Sequence, residues 1–139
     1  MNEVEQAQAE LIEEFGFFDN WMDRYQYLID LGRRLPPFPP EAMTDANKLQ
    51  GCQSQVWIIA SEKDGRVNYQ ATSDAAIVSG LIAILLRIYS GRRAEEILKT
   101  PVDFASRIGL DQHLSPTRSN GLAAMLQAIR TYAAESLAE

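Results

Sequence analysis

The sequence predicts an α+β domain in which one small antiparallel sheet is covered by helices, and three observations predict it. Two β-branched and aromatic runs, Val56 to Ala60 and Val67 to Ala71, flank the tight-turn pair Asp64-Gly65. On both sides of that hairpin, apolar residues recur at helical spacing. The length of 139 residues, with 46% hydrophobic and 23% charged side chains, suits one domain over 1–139 that can bury a core.

Taken in order, Val4, Ala7, Leu11, Ile12 and Phe15 share a face and predict an amphipathic helix running to about Gly16. Asn20 can cap a second helix, with Asp23 in its first turn, Trp21, Tyr25 and Leu28 on one face and Gly32 as its stop. The prolines at 36, 37, 39 and 40 exclude regular helix and favour an extended surface connection through Gln50. After the hairpin, Ser73 or Asp74 can cap a helix that is apolar nearly all round, through Ile77, Val78, Leu81, Ile82, Leu85 and Ile88. That helix is expected to be the most buried element. Short helices follow over about 93–99 and after Pro101, and Ser115-Pro116 opens a last helix with Leu122, Leu126, Ile129 and Ala133 on one face.

Composition removes several classes of function. A formal charge of -6, from 13 basic and 19 acidic side chains, repels a phosphate backbone, so no nucleic-acid partner is expected. The densest apolar stretch, Ala75 to Leu86, is interrupted by Ser79 and Gly80 and falls far short of the ~20 residues of a membrane span. The acidic, amphipathic start lacks the basic and apolar regions of a signal peptide, so a cytoplasmic location is expected. One cysteine makes neither an internal disulfide nor a cysteine-based metal clip.

That cysteine, Cys52, lies in Gly51-Cys52-Gln53-Ser54-Gln55, between the proline-rich connection and the first strand. Loops and strand entrances are where reactive groups are displayed, and Gly51 permits a positive φ or a close backbone approach. A lone cysteine is more commonly a small buried hydrophobe, and from the residues alone that reading stays open.

Further residues carry a resemblance. GCQSQVW at 51–57, SDAAIVSGLIA at 73–83 and HLSPTRSNGL at 113–122, in that order, are similar to the SufE family, as is NWMDRYQYLIDLGRRLP at 20–36. The resemblance implies a fold shared with NifU-type scaffold proteins, with three antiparallel strands backed by helices, and the third strand is expected near Asn47 to Gln50. It also implies a sulfur acceptor with no cofactor of its own and no stand-alone enzyme activity. Its partner would be a pyridoxal-phosphate cysteine desulfurase of the SufS kind, its sulfur would go to an iron–sulfur assembly complex of the SufBCD kind, and Cys52 would carry that sulfur as a persulfide. Family members tuck this cysteine against apolar residues, which raises a thiol pKa and slows its oxidation.

Two more residues are expected at the site. Arg118, in the first turn of the last helix, opposes the helix dipole there, and such a departure from local rules can mark thiolate stabilisation or a contact to the donor. Asp74 is most simply a carboxylate that complements the start of a helix, with a partner contact as the other reading. His113, the only histidine, would give a thiol hydrolase if it met Cys52, but a packing role before a helix cap is the plainer reading. The Arg33-Arg34 and Arg92-Arg93 pairs read as solvated helix ends. Two alternatives stand beside sulfur relay: an allosteric adaptor of a desulfurase, and an iron–sulfur scaffold, for which one cysteine is too few.

Overall fold

The computed structural model describes residues 1–138. Helix α1 (Glu3–Phe15) opens with a capping box. The Asn2 side chain accepts from the Glu5 N–H at 2.8 Å, and Glu5 Oε1 accepts from the Asn2 N–H at 3.1 Å. Val4, Ala7, Leu11 and Phe15 all turn inward, as their spacing predicts. Helix α2 (Trp21–Arg33) is capped by Asn20, which accepts from the Asp23 N–H at 2.9 Å.

Gly32 does not stop α2, which continues through Arg33. Its role is steric. A Cβ at Gly32 would lie 2.7 Å from the Gly80 nitrogen, and one at Gly80 would lie 2.3 Å from the Leu28 carbonyl oxygen. The two glycines let α2 cross the next helix backbone to backbone. Between them the proline-rich connection is extended except for two short 3-10 turns, Pro40–Ala42 and Asp45–Asn47.

Strand β1 (Val56–Lys63) pairs antiparallel with β2 (Arg66–Ser73), in a register running from Val56 opposite Ser73 to Lys63 opposite Arg66. Asp64 and Gly65 take φ of 56° and 82°, the paired left-handed geometry of a two-residue hairpin turn. Val56, Ile58, Val67, Tyr69 and Ala71 face the core, which is the alternation expected of a sheet with one buried side.

The third strand is not at Asn47 to Gln50. It is β3, Arg92–Arg93, paired antiparallel with Arg66 and Val67 of β2, giving the order β1-β2-β3. The arginine pair is therefore a sheet edge and not a solvated helix end, with Arg66 and Arg92 both ion-paired to Glu3. Asn47 to Gln50 runs along the opposite edge, where it makes a single bridge, Lys48 to Trp57, and one hydrogen bond from the Leu49 N–H to the Val56 carbonyl at 2.8 Å.

Helix α3 (Ala76–Tyr89) packs against α2 and β2 and buries Leu81, Ile82, Ile84, Leu85 and Ile88, matching its expected centrality. Neither Ser73 nor Asp74 caps it through a side chain; Ala75 holds the cap position. Helices α4 (Ala94–Lys99), α5 (Phe104–Ile108) and α6 (Leu110–His113) are short, and Gly109, at φ 96°, separates the last two. Helix α7 (Pro116–Ala138) starts where the Ser115 hydroxyl accepts from the Arg118 N–H at 3.3 Å. Leu122, Ile129 and Ala133 are buried along it as predicted, while Met125, not Leu126, completes the inward stripe.

Candidate thiol site

Three elements meet around Cys52. The loop 50–55 leaves the edge of the sheet, the N-terminal half of α3 supplies Val78 and Leu81, and the first turns of α7 supply Arg118, Gly121 and Met125. Gly51 takes φ 87°, a conformation that side chains other than glycine's adopt only with strain. That bend turns the Cys52 side chain back against α7, where Sγ lies 3.9 Å from the Gly121 carbonyl oxygen. Cys52 is half-buried and unpaired.

The space that these residues enclose is about 20 Å³. A cavity of that size admits one water-sized body and lies far below the roughly 300 to 1,000 Å³ of ordinary small-molecule sites. Val78, Leu81 and Met125 line it beside the polar Gln53, Ser54 and Thr117, and burial pushes the Cys52 thiol above its ordinary value. The resting side chain is thus held as the neutral thiol, which is the unreactive form.

Arg118 lines this cavity from an exposed position, and burial alone acts on the Cys52 titration in this arrangement. Asp74 does not line the cavity. Its Oδ1 accepts from the Gln55 N–H at 3.1 Å, so its carboxylate ties down the cysteine loop and does not cap α3. His113 belongs to another neighbourhood. Its ring stacks on Trp21 at 4.0 Å and its Nδ1 lies 3.0 Å from the Gly109 carbonyl, so it does not line the thiol cavity. The thiol–imidazole pair needed for a hydrolase is not formed. Among the described residues no three His, Cys, Asp or Glu side chains converge to hold a metal ion.

Sequence reasoning missed Val78, Leu81, Gly121 and Met125 as cavity walls. A signal was present in α7: Arg118, Gly121 and Met125 follow one another at intervals of three and four, which puts them on one face of the helix. Nothing in the local sequence could pair Asp74 with Gln55, because that contact exists only once the hairpin has closed.

The α+β fold thus displays a single half-buried thiol on a loop led by a glycine of positive φ. Residues 9–133 match the SufE family, described as an Fe-S metabolism associated domain, and the chain belongs to that family. It is 44% identical over 129 residues to an uncharacterised SufE-like protein of Rhizobium meliloti, an alignment covering 89% of this chain and 92% of that one. A SufE-like protein of Rhizobium etli is also 44% identical, over 126 residues, covering 87% and 85%. The solution structure of a hypothetical protein from Thermus thermophilus superposes with a TM-score of 0.79 at 23% identity, over 96% of this chain and 97% of that one, a likeness of fold. Membership places the chain in iron–sulfur metabolism. Among the described residues no helix is long and apolar enough to cross a membrane.

Proposed function

We propose that Cys52 accepts a sulfur atom from the persulfide of a pyridoxal-phosphate cysteine desulfurase of the SufS kind, and passes it to an iron–sulfur assembly complex of the SufBCD kind. One observation carries this reading: the only thiol faces a cavity of about 20 Å³, with room for one more atom but none for a small-molecule substrate. A cavity of that size suits a cargo of one sulfur atom, brought by a partner that carries the reactive group.

The transfer balances without an added oxidant. The Cys52 thiolate attacks the outer sulfur of the donor persulfide, a new S–S bond forms, the donor's S–S bond breaks, and the donor cysteine leaves as a thiolate. Cys52 first gives up its proton, which its resting burial opposes. Docking therefore has to draw the loop outward, and the Asp74 carboxylate on the Gln55 N–H is the contact that such a movement breaks. Arg118, exposed and lining the cavity, meets the thiolate once the loop has moved, or meets the donor surface. With no second cysteine on the chain, no internal thiol discharges the persulfide.

Intact-protein mass spectrometry after incubation with a desulfurase and cysteine tests the reading. A gain of one sulfur atom, mapped to Cys52, supports it. An unchanged mass, with a Cys52→Ser variant that still stimulates the desulfurase fully, makes the protein an adaptor instead.

A further inference from the structure

Gly121 stands in the second turn of α7, where alanine would serve the helix better, because glycine loses more backbone freedom on folding. Two circumstances ordinarily justify a glycine inside a helix. One is a left-handed φ, and Gly121 does not have it. The other is a backbone pressed so close that a Cβ cannot fit, as at Gly32 and Gly80. At Gly121 an added Cβ would meet a single atom within 4 Å, the Sγ of Cys52 at 3.7 Å, which is an ordinary van der Waals distance. The resting protein therefore has room for a methyl at position 121 and a helix that would gain from it.

What lacks room is an atom the resting protein does not yet hold. We propose that Gly121 is a positioning residue whose missing side chain leaves space for the outer sulfur of a Cys52 persulfide, an inference that rests on Cys52 being the sulfur acceptor. A persulfide adds one sulfur about 2.05 Å beyond Sγ. Cys52 and Gly121 both line the cavity of about 20 Å³, with Val78, Leu81 and Met125 as its apolar members and Gln53, Ser54 and Thr117 beside them. The two aliphatic side chains and the thioether suit a soft, weakly hydrated sulfur. The Gly121 carbonyl, already 3.9 Å from Sγ, is the acceptor available to the S–H of the loaded form.

The consequence is protection of the cargo. In solution a small thiolate attacks the outer sulfur, breaks the S–S bond, releases Cys52 as a thiolate and departs as a small-molecule persulfide. An outer sulfur seated in the cavity is shielded from that attack. An alanine at 121 projects its methyl into the same space and turns the outer sulfur toward solvent, while the thiol form keeps its place.

The experiment compares the parent with Gly121→Ala, each loaded through Cys52 with inorganic polysulfide so that no partner enters, and follows the added sulfur by intact mass while glutathione is present. The expected result is equal alkylation of the two unloaded thiols and roughly tenfold faster loss of the added sulfur from Gly121→Ala, as for a sulfur moved from shelter into solvent. Failure of Gly121→Ala to hold any added sulfur, with its thiol still alkylated at the parent rate, is the same effect carried further. Equal rates of loss overturn the role of Gly121 and leave Cys52 as acceptor. No sulfur gained by the parent, from polysulfide or from a desulfurase, overturns both. Because the substitution raises helix propensity, a folded variant is expected, and thermal melting of both proteins verifies it.

Discussion

Asp74 and Gln55 are joined across the base of the cysteine loop, the Gln55 N–H donating to the Asp74 carboxylate at 3.1 Å. The bond ties the last residue before β1 to the residue that follows β2, and so anchors the C-terminal end of the loop that carries Cys52. An exposed bond of this kind is worth about 1 kcal/mol, or a factor of about five in an opening equilibrium. Asp74→Ala is therefore expected to speed alkylation of Cys52 by about that factor, and Asp74→Asn, which keeps an acceptor, by less. Pseudo-first-order iodoacetamide kinetics at fixed pH measure it; identical rates for all three proteins would remove Asp74 from any control of the loop.

Arg118 separates folding from transfer. Its side chain is exposed at the cavity rim and its N–H is already capped by Ser115. Removing a cation from a helix's first turn should leave stability unchanged or raise it by roughly 0.3 to 1 kcal/mol. Sulfur acceptance from a desulfurase should nevertheless fall by about tenfold, the effect of about 1.4 kcal/mol from one charge contact to a thiolate or a donor protein. Single-turnover transfer and urea denaturation, measured on the same Arg118→Ala sample, give the two halves. A transfer rate equal to the parent's would assign Arg118 to the surface alone.

Resting burial of the thiol also has a pH signature. Desolvation disfavours the thiolate, so the Cys52 titration lies above the ordinary 9.0 and its alkylation rate should still be climbing at that pH. In Asp74→Ala, where the loop is freer, the midpoint should move back toward 9.0. A parent midpoint at or below 9.0 would mean that the loop is already open in the unpartnered protein.

What was legible in the sequence is what local chemistry decides. Asp64-Gly65 announces its hairpin because few residue pairs tolerate two successive left-handed conformations, and Asn20 and Ser115 announce helix starts because their side chains satisfy free amides. Cys52 stood out as the sole thiol beside a glycine. The third strand did not, because two arginines are too short a run to alternate and their charges read as solvent-facing. Asp74 looked like a cap since carboxylates commonly sit there, but it faces the loop, an outcome set by the closed sheet and not by its neighbours in sequence. Gly121 shows in the sequence only as an unfavourable residue on the helix face of Arg118 and Met125, and its meaning depends on a sulfur 69 positions away.

Gly80 offers the opposite case to Gly121. A Cβ there would be driven into the Leu28 carbonyl, at 2.3 Å from oxygen and 2.7 Å from carbon, and both atoms belong to backbone that cannot rotate aside. Either α2 and α3 separate or the core between them distorts, at a cost of about 1 to 3 kcal/mol or more for overpacking. Gly80→Ala should consequently lower the urea midpoint clearly, whereas Gly121→Ala should not. Equal midpoints for the two variants would contradict the backbone contact between α2 and α3.

Tyr69 and Tyr89 are both buried, but only one has a partner for its hydroxyl. Tyr69 donates to the Ile129 carbonyl at 2.7 Å, while the Tyr89 hydroxyl makes no hydrogen bond among the described residues. Tyr69→Phe should therefore cost about 1 kcal/mol, and Tyr89→Phe should be neutral or stabilising, since it removes a buried polar group left unsatisfied. The pair also makes stability fall at high pH. Burial pushes Tyr89 up to about 12 and raises Tyr69 as well, from an ordinary 10.0. Above pH 10 the unfolded chain has released protons that the folded chain still binds, so stability is fully present below 10 and declines as pH rises through the folded-state values. Tyr89→Phe should flatten that decline between pH 10 and 12 without weakening the protein at pH 7. Urea midpoints collected across that range decide it, and a slope unchanged from the parent would show that the Tyr89 phenol ionises as freely in the fold as in the open chain.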